Sequence, residues 1–300
     1  MKYRPLTPLS AIALFLACAP GRLPAERPDP PPAPTWQRDA LWDDGKAEIA
    51  RYEATEPRYG IQRPFTLHVI VVKEPFRTDE WVKAESPGAP TIEVLKSNWV
   101  RSVQTGIYRY EQMFSSFLAR DDLQPVKVSL AMFEWCGNSY KEWLRETGAL
   151  EYHTYWEGQA RGTFPLVASP SLYFYDDLGV RLRGLGALES GRFEIDVVDT
   201  LVHSKAPPPR LERATVEVVG QETLDLPAGR FEARKVVLRR GEAVDTLWFK
   251  VEAPHLLLRW DRSDGGRYRL AGVERLAYWE MNGPDFDGYM VGGADGGSKP

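Results

Sequence analysis

Apolar and polar residues alternate with period two along most of this 300-residue chain, the spacing of antiparallel strands that bury one face. The pattern is clearest in the last third. There Thr215 to Val219, Phe231 to Leu238, Thr246 to Val251, Leu256 to Trp260 and Tyr268 to Tyr278 are strand-sized and rich in Val, Leu, Phe and Trp. Leu226-Pro227-Ala228-Gly229, Arg240-Gly241, Ala253-Pro254 and Asp264-Gly265-Gly266 separate them with turn chemistry at hairpin spacing, so the region reads as a meander. The first half continues the pattern over Ala47 to Ala54, Phe65 to Lys73, Thr91 to Val100, Val103 to Met113, Val126 to Phe133 and Glu151 to Trp156. Two short helices are expected to interrupt it. Asn138 can cap a turn running through Arg145, and Ser169-Pro170 opens a segment with Leu178, Leu182 and Leu185 on one helical face. The expected fold class is mainly β, with curved antiparallel sheets and one or two short helices.

The N-terminus departs from this pattern. Lys2 and Arg4 precede an apolar stretch, Leu9 to Ala17, too short to span a bilayer as a helix and suited to a signal-peptide core. It ends in Phe15-Leu16-Ala17-Cys18, and a small residue before a cysteine at that place is the pattern of bacterial lipoprotein processing. Cys18 is therefore the expected lipidation site, tying the chain to a membrane; the alternative is an ordinary secretory signal cut nearby. Ala19 follows where the lipoproteins this resembles carry Asp as an inner-membrane retention signal, so the expected location is the outer membrane, facing the periplasm. Pro20 to Pro34 then form an extended, semi-stiff spacer. The expected organisation is a signal peptide over 1–17, the lipidated cysteine and linker over 18–35, and a β-rich half over 36–206. A meander over 210–280 and a disordered tail over 281–300 complete it, with Pro207-Pro208-Pro209 between the halves. Composition leaves open whether the halves are two domains or one continuous sheet.

About 245 residues between spacer and tail suffice for a core that needs no disulfide or metal. With Cys18 acylated, Cys136 has no intrachain partner. The net charge of −4 and the scattered basic residues exclude the basic stripe that nucleic acid requires.

The segment Gly220-Gln221-Glu222-Thr223-Leu224-Asp225-Leu226-Pro227-Ala228-Gly229-Arg230-Phe231-Glu232-Ala233, with Trp248-Phe249 and Gly272-Val273-Glu274, resembles a signature of an exported bacterial family of unknown function. The resemblance covers Thr215 to Tyr278 and implies a curved antiparallel sheet, either a β-clamshell or a lipocalin-like open barrel. A second resemblance rests on Trp42-Asp43-Asp44-Gly45-Lys46-Ala47-Glu48, Arg58-Tyr59-Gly60, Val94-Leu95-Lys96, Thr105-Gly106-Ile107-Tyr108 and Glu134-Trp135-Cys136-Gly137. These are similar to uncharacterised exported proteins, some labelled septum-formation inhibitor Maf. That label does not transfer, because the Maf enzymes are cytosolic and open with a Ser-Pro-Arg-type loop that this chain lacks. Neither resemblance supplies catalytic residues.

The sharpest enzymatic reading makes Cys136 a nucleophile, His153 its base and Glu134 or Glu157 the orienting carboxylate. It requires Cys136 open to solvent and within hydrogen-bond reach of His153. The opposing reading is an inert cysteine in a turn. His68, His153, His203 and His255 show no metal-ligand spacing, and Gly184-Leu185-Gly186 lacks the flanking strand and helix of a phosphate loop, so no metal or cofactor is expected. Asp121-Asp122 and Asp176-Asp177 read as caps or solvated faces. The 10 Trp, 13 Tyr and 12 Phe suit pleated packing, or else an apolar groove on a curved sheet, with Tyr155, Trp156, Trp248 and Trp260 as candidate lining. Three readings stand: a non-catalytic lipoprotein binding a lipid, another amphiphile or an envelope protein; a hydrolase or thiol enzyme using Cys136 and His153; and a ligand-free envelope scaffold. Arg58-Tyr59-Gly60 and Glu134-Trp135-Cys136-Gly137 are expected to be tight corners.

Overall fold

The computed structural model describes residues 30–86 and 88–292. The expected signal peptide, Cys18, most of the spacer and the end of the tail lie outside them. Among the described residues there are fifteen strands: β1 (Ala47–Arg58), β2 (Ile61–Arg77), β3 (Thr91–Thr105), β4 (Tyr108–Ala119), β5 (Pro125–Glu134), β6 (Gly137–Leu144), β7 (Ala149–Thr154) and β8 (Arg161–Pro165), then β9 (Leu172–Phe174), β10 (Gly191–Val198), β11 (Leu211–Leu226), β12 (Gly229–Arg240), β13 (Ala243–Lys250), β14 (Leu257–Asp261) and β15 (Arg267–Leu276). All fifteen belong to one open sheet in the order β8-β7-β6-β5-β4-β3-β2-β1-β15-β14-β13-β12-β11-β10-β9. Every neighbouring pair is antiparallel except β9 and β10. The sheet curves without closing into a barrel. The two halves of the chain join where β1 pairs with β15. Pro207-Pro208-Pro209 falls in the connection between β10 and β11, which themselves pair.

Curvature brings distant strands together across the inner face. The Trp143 ring on β6 lies 5.3 Å from that of Phe174 on β9, near opposite ends of the strand order. The Trp99 ring on β3 meets Trp260 on β14 edge-on at 6.2 Å. Adjacent strands lie about 4.8 Å apart, so such contacts require the sheet to fold over itself. The space enclosed is filled by side chains and by the chain between β9 and β10. There the expected helix shrinks to four residues, α1 (Leu178–Arg181), between 3-10 turns, and Leu178, Leu182 and Leu185 are all buried. Arg183 ties this plug to β1 through a buried ion pair with Glu48 at 2.8 Å. Each large apolar side chain sealed in this way contributes roughly 1.5–3 kcal/mol.

Three expectations fail locally. The helix from Asn138 to Arg145 is strand β6, because Ser139, Lys141 and Trp143 face inward while Asn138 and Tyr140 face outward, a period-two pattern. The break placed between Val100 and Val103 does not occur: β3 runs on to Thr105 and the turn falls at Gly106-Ile107. Part of the expected tail is ordered. Val291 packs against Ala47, Ile49 and Val72, Arg51 Nε donates to the Val291 carbonyl at 2.7 Å, and Tyr289 donates to Glu274 at 2.6 Å. Among the described residues no helix is long and apolar enough to cross a membrane.

Candidate functional site

Register across the first eight strands fixes which side chains meet on the outer face. One row runs Arg51, His68, Val100, Met113, Ala131, Tyr140 and His153, each directly opposite the next. Its centre is apolar where an outward position on an antiparallel strand is ordinarily polar. Ala131 is small between Met113 and Tyr140, so the row dips there. Phe133 borders the dip on one side, and Tyr155 reaches in from the β7–β8 connection. Together they enclose an open groove of about 870 Å³. That volume is within the range of small-molecule sites. Met113, Phe133, Tyr140 and Tyr155 are exposed there.

Two turns at this end of the sheet depend on positive φ. Tyr59-Gly60, both at positive φ (55° and 72°), make the tight β1–β2 turn that a right-twisted hairpin prefers. Gly137 (φ 152°) starts β6, and a Cβ there would stand 2.6 Å from Tyr155 Cβ. The Tyr155 ring therefore rests on a bare backbone. The outward polar groups at the groove are Glu111, Asn138, Tyr140 and His153. Tyr140 donates to Glu142 at 2.6 Å, and burial together with that carboxylate pushes the phenol's pKa up. Ser102 donates to Glu111 at 2.6 Å.

The thiol constellation is not assembled. Cys136 is exposed in the β5–β6 turn, but His153 points outward from β7 while Glu134 is buried on the inner face of β5. The parity of the register puts them on opposite faces: Glu134 stands opposite Gly137, two residues from inward Ser139, whereas His153 stands opposite outward Tyr140. No hydrogen bond joins Cys136, His153 and Glu134, and Glu157 is exposed in the loop after Trp156. No group of three His, Cys, Asp or Glu among the described residues could hold a metal.

Of the four expected lining aromatics only Tyr155 lines the groove. Trp156 is half-buried with the Lys205 ammonium 5.4 Å above its ring. Trp248 is covered on the outer face of β13 by Arg259, 4.6 Å from its centroid, and donates to Glu222. Trp260 is in the core against Trp99, Tyr175 and Tyr268. Val100, Met113, Ala131, Phe133 and Tyr140 were not anticipated. For Met113, Ala131 and Phe133 the signal was apolar residues in both phases of β4 and β5.

Two buried polar clusters lie inward. Glu56 accepts from Arg101 Nη1 at 2.6 Å, Arg262 Nη1 at 3.1 Å and the Tyr268 hydroxyl. Burial alone would raise the Glu56 pKa, but the two guanidinium groups and Tyr268 hold it below the usual value. Lys141 donates to the carbonyls of Leu201 at 2.8 Å and His203 at 3.0 Å, beside a cavity of about 280 Å³. Burial lowers its pKa to about 8. Its hydrogen bonds pin the chain after β10 to β6, which is a structural task. Comparison with protein-family profiles, curated proteins and solved structures found no match.

Proposed function

We propose that this chain is a non-catalytic lipoprotein of the bacterial envelope, acylated at Cys18 and held at the outer membrane facing the periplasm, whose outer-face groove receives the apolar part of an amphiphile. The observation that carries the binding reading is the groove of about 870 Å³ with an exposed apolar floor, on a protein whose inner face is packed. Burial of a single acyl chain on Met113, Ala131, Phe133 and Tyr140 would contribute about 0.8 kcal/mol per methylene covered. The Phe15-Leu16-Ala17-Cys18 pattern supports export and acylation.

Calorimetric titration with a lysophospholipid below its micelle concentration tests the groove. Ala131→Trp fills the floor from the solvent side, so affinity should fall about tenfold or more while the thermal midpoint stays close to that of the parent. Equal affinity in A131W would remove the groove from the account. Metabolic palmitate labelling of bacteria expressing the parent or Cys18→Ser tests the anchor: label in the parent alone is expected, and an unlabelled parent contradicts acylation. One observation favours a second reading. A packed inner face is what a ligand-free envelope scaffold would have, and that reading predicts no heat of binding in either protein.

A further inference from the structure

The hairpins β1–β2, β3–β4, β5–β6 and β7–β8 all turn at the same end of the sheet. Each turn carries a large exposed apolar residue: Tyr59 (66% exposed), Ile107 (83%), Trp135 (67%) and Tyr155 (74%). Turn tips are ordinarily polar, and an uninterrupted series of this kind calls for an occupant. Measured from the outer-face row, Tyr59 is eight residues from Arg51, Ile107 six from Met113 and Trp135 four from Ala131, each in a two-residue turn; Tyr155, two from His153, stands at the start of a longer connection that runs on through Glu157 and Gly158. The step is constant. Two residues of rise, about 6.6 Å, for every two strands, about 9.6 Å, puts the tips on one straight line inclined about 35° to the strand perpendicular. That is the range of tilt at which strands of curved sheets stand to their axis. The four side chains therefore follow one line along this end of the sheet.

From this alignment we infer that the four tips form a rim that docks on an anionic lipid bilayer, placing the mouth of the groove at the surface. Tyr59, Tyr110, Tyr108 and Trp135 form one aromatic train: Tyr59 hydrogen-bonds Tyr110, whose ring lies 5.6 Å from that of Tyr108, and Tyr108 lies 6.2 Å from Trp135. Two features favour a bilayer over a protein partner. Tyr and Trp are the side chains that settle at the boundary between headgroup and acyl chain. The charge around the tips is also complementary. At this end of the sheet Arg58, Arg63, Arg109, Arg161 and Lys205 outnumber Glu111 and Glu157, and the adjoining β14–β15 turn adds Arg267 and Asp264, the latter paired with Arg262, against a chain of net charge −4. Arg58 also lies 4.7 Å from the Tyr110 ring, and Tyr110 hydrogen-bonds Tyr59, which braces the first tip. The rim rests on the amphiphile reading in one respect: Tyr155 belongs to both, so an acyl chain could pass from surface to groove along apolar contacts.

Flotation of the full chain carrying Cys18→Ser, which removes the covalent anchor, tests the rim. The expected result is co-flotation with vesicles of phosphatidylcholine and phosphatidylglycerol, weaker with phosphatidylcholine alone. Ile107→Asp with Trp135→Asp should lower the bound fraction about tenfold or more, since each loses an apolar contact and adds a charge that anionic lipid repels. The doubly substituted protein should keep the parent's circular dichroism and its affinity for soluble lysophospholipid. Undiminished flotation of this variant, or no flotation of the parent, overturns the rim. Either outcome can coexist with intact binding of lysophospholipid in solution, so the rim and the groove fail separately.

Discussion

Asp177 is the residue whose environment is most at odds with its charge. It is fully buried, neither carboxylate oxygen has a hydrogen-bond partner, and burial with Asp176 nearby raises its pKa from 3.8 to about 7 despite Arg181. Between those values the folded chain binds more protons than the unfolded one, so this group's contribution to stability falls as pH rises from about 4 to 7. Asp177→Asn should stabilise the protein, by about 2 kcal/mol more at pH 8 than at pH 5. Urea unfolding at the two pH values checks this, and an equal effect at both would show that the carboxyl is not held neutral. Gly137 is the second informative residue. An alanine there meets Tyr155 at 2.6 Å in a backbone region that L residues avoid, so Gly137→Ala should cost about 1–3 kcal/mol and displace Tyr155. The same melt series measures the cost, and a fully stable variant would contradict the packing described. Lysophospholipid titration of that variant then reads whether Tyr155 matters to the groove.

Among the elements, the long strands were legible because alternation of apolar and polar residues is a direct image of a sheet with one buried face. The strand β6 was not. Its inward positions are Ser139, Lys141 and Trp143, only one of them apolar, so the hydrophobic signal vanishes although the geometry is that of a strand. The strands β8 and β9 escaped because five and three residues are too few to display a period, and in β9 all three are buried; β10 carries its alternation, Phe193, Ile195 and Val197, over only eight residues. The groove escaped for a different reason. Alternation says that two faces differ but not which neighbours cover them, so exposed Met113 and Phe133 look the same in sequence as covered Trp248. The segment 281–292 shows the converse error, where a Gly- and Asp-rich composition concealed Val291 and the hydrogen bonds of Tyr289 and Gly292 to Glu274. Removing residues 281–300 should therefore expose Ile49 and Val72 and raise amide exchange in β1. Unchanged protection there would mean that the docked segment contributes nothing.

The described residues form one curved sheet folded around a plug, closed inside and apolar along one stretch of its outside. A sealed core dominated by residues distant in sequence makes the body stiff, and a stiff body can present exposed side chains without losing them to collapse. Both proposed surfaces lie in the first eight strands, and the exported topology expected from the N-terminus would set them among envelope lipids. On this reading the outer-face groove holds an amphiphile. The deciding measurement is native mass spectrometry of the chain carrying Cys18→Ser, so that no covalent lipid adds mass, purified from a bacterial periplasm with and without Ala131→Trp. Without Ala131→Trp the expected spectrum carries the added mass of a lipid or other amphiphile, lost on denaturing extraction, and with it that mass is absent; a bare mass in the first, or the same adduct retained in the second, would overturn this reading.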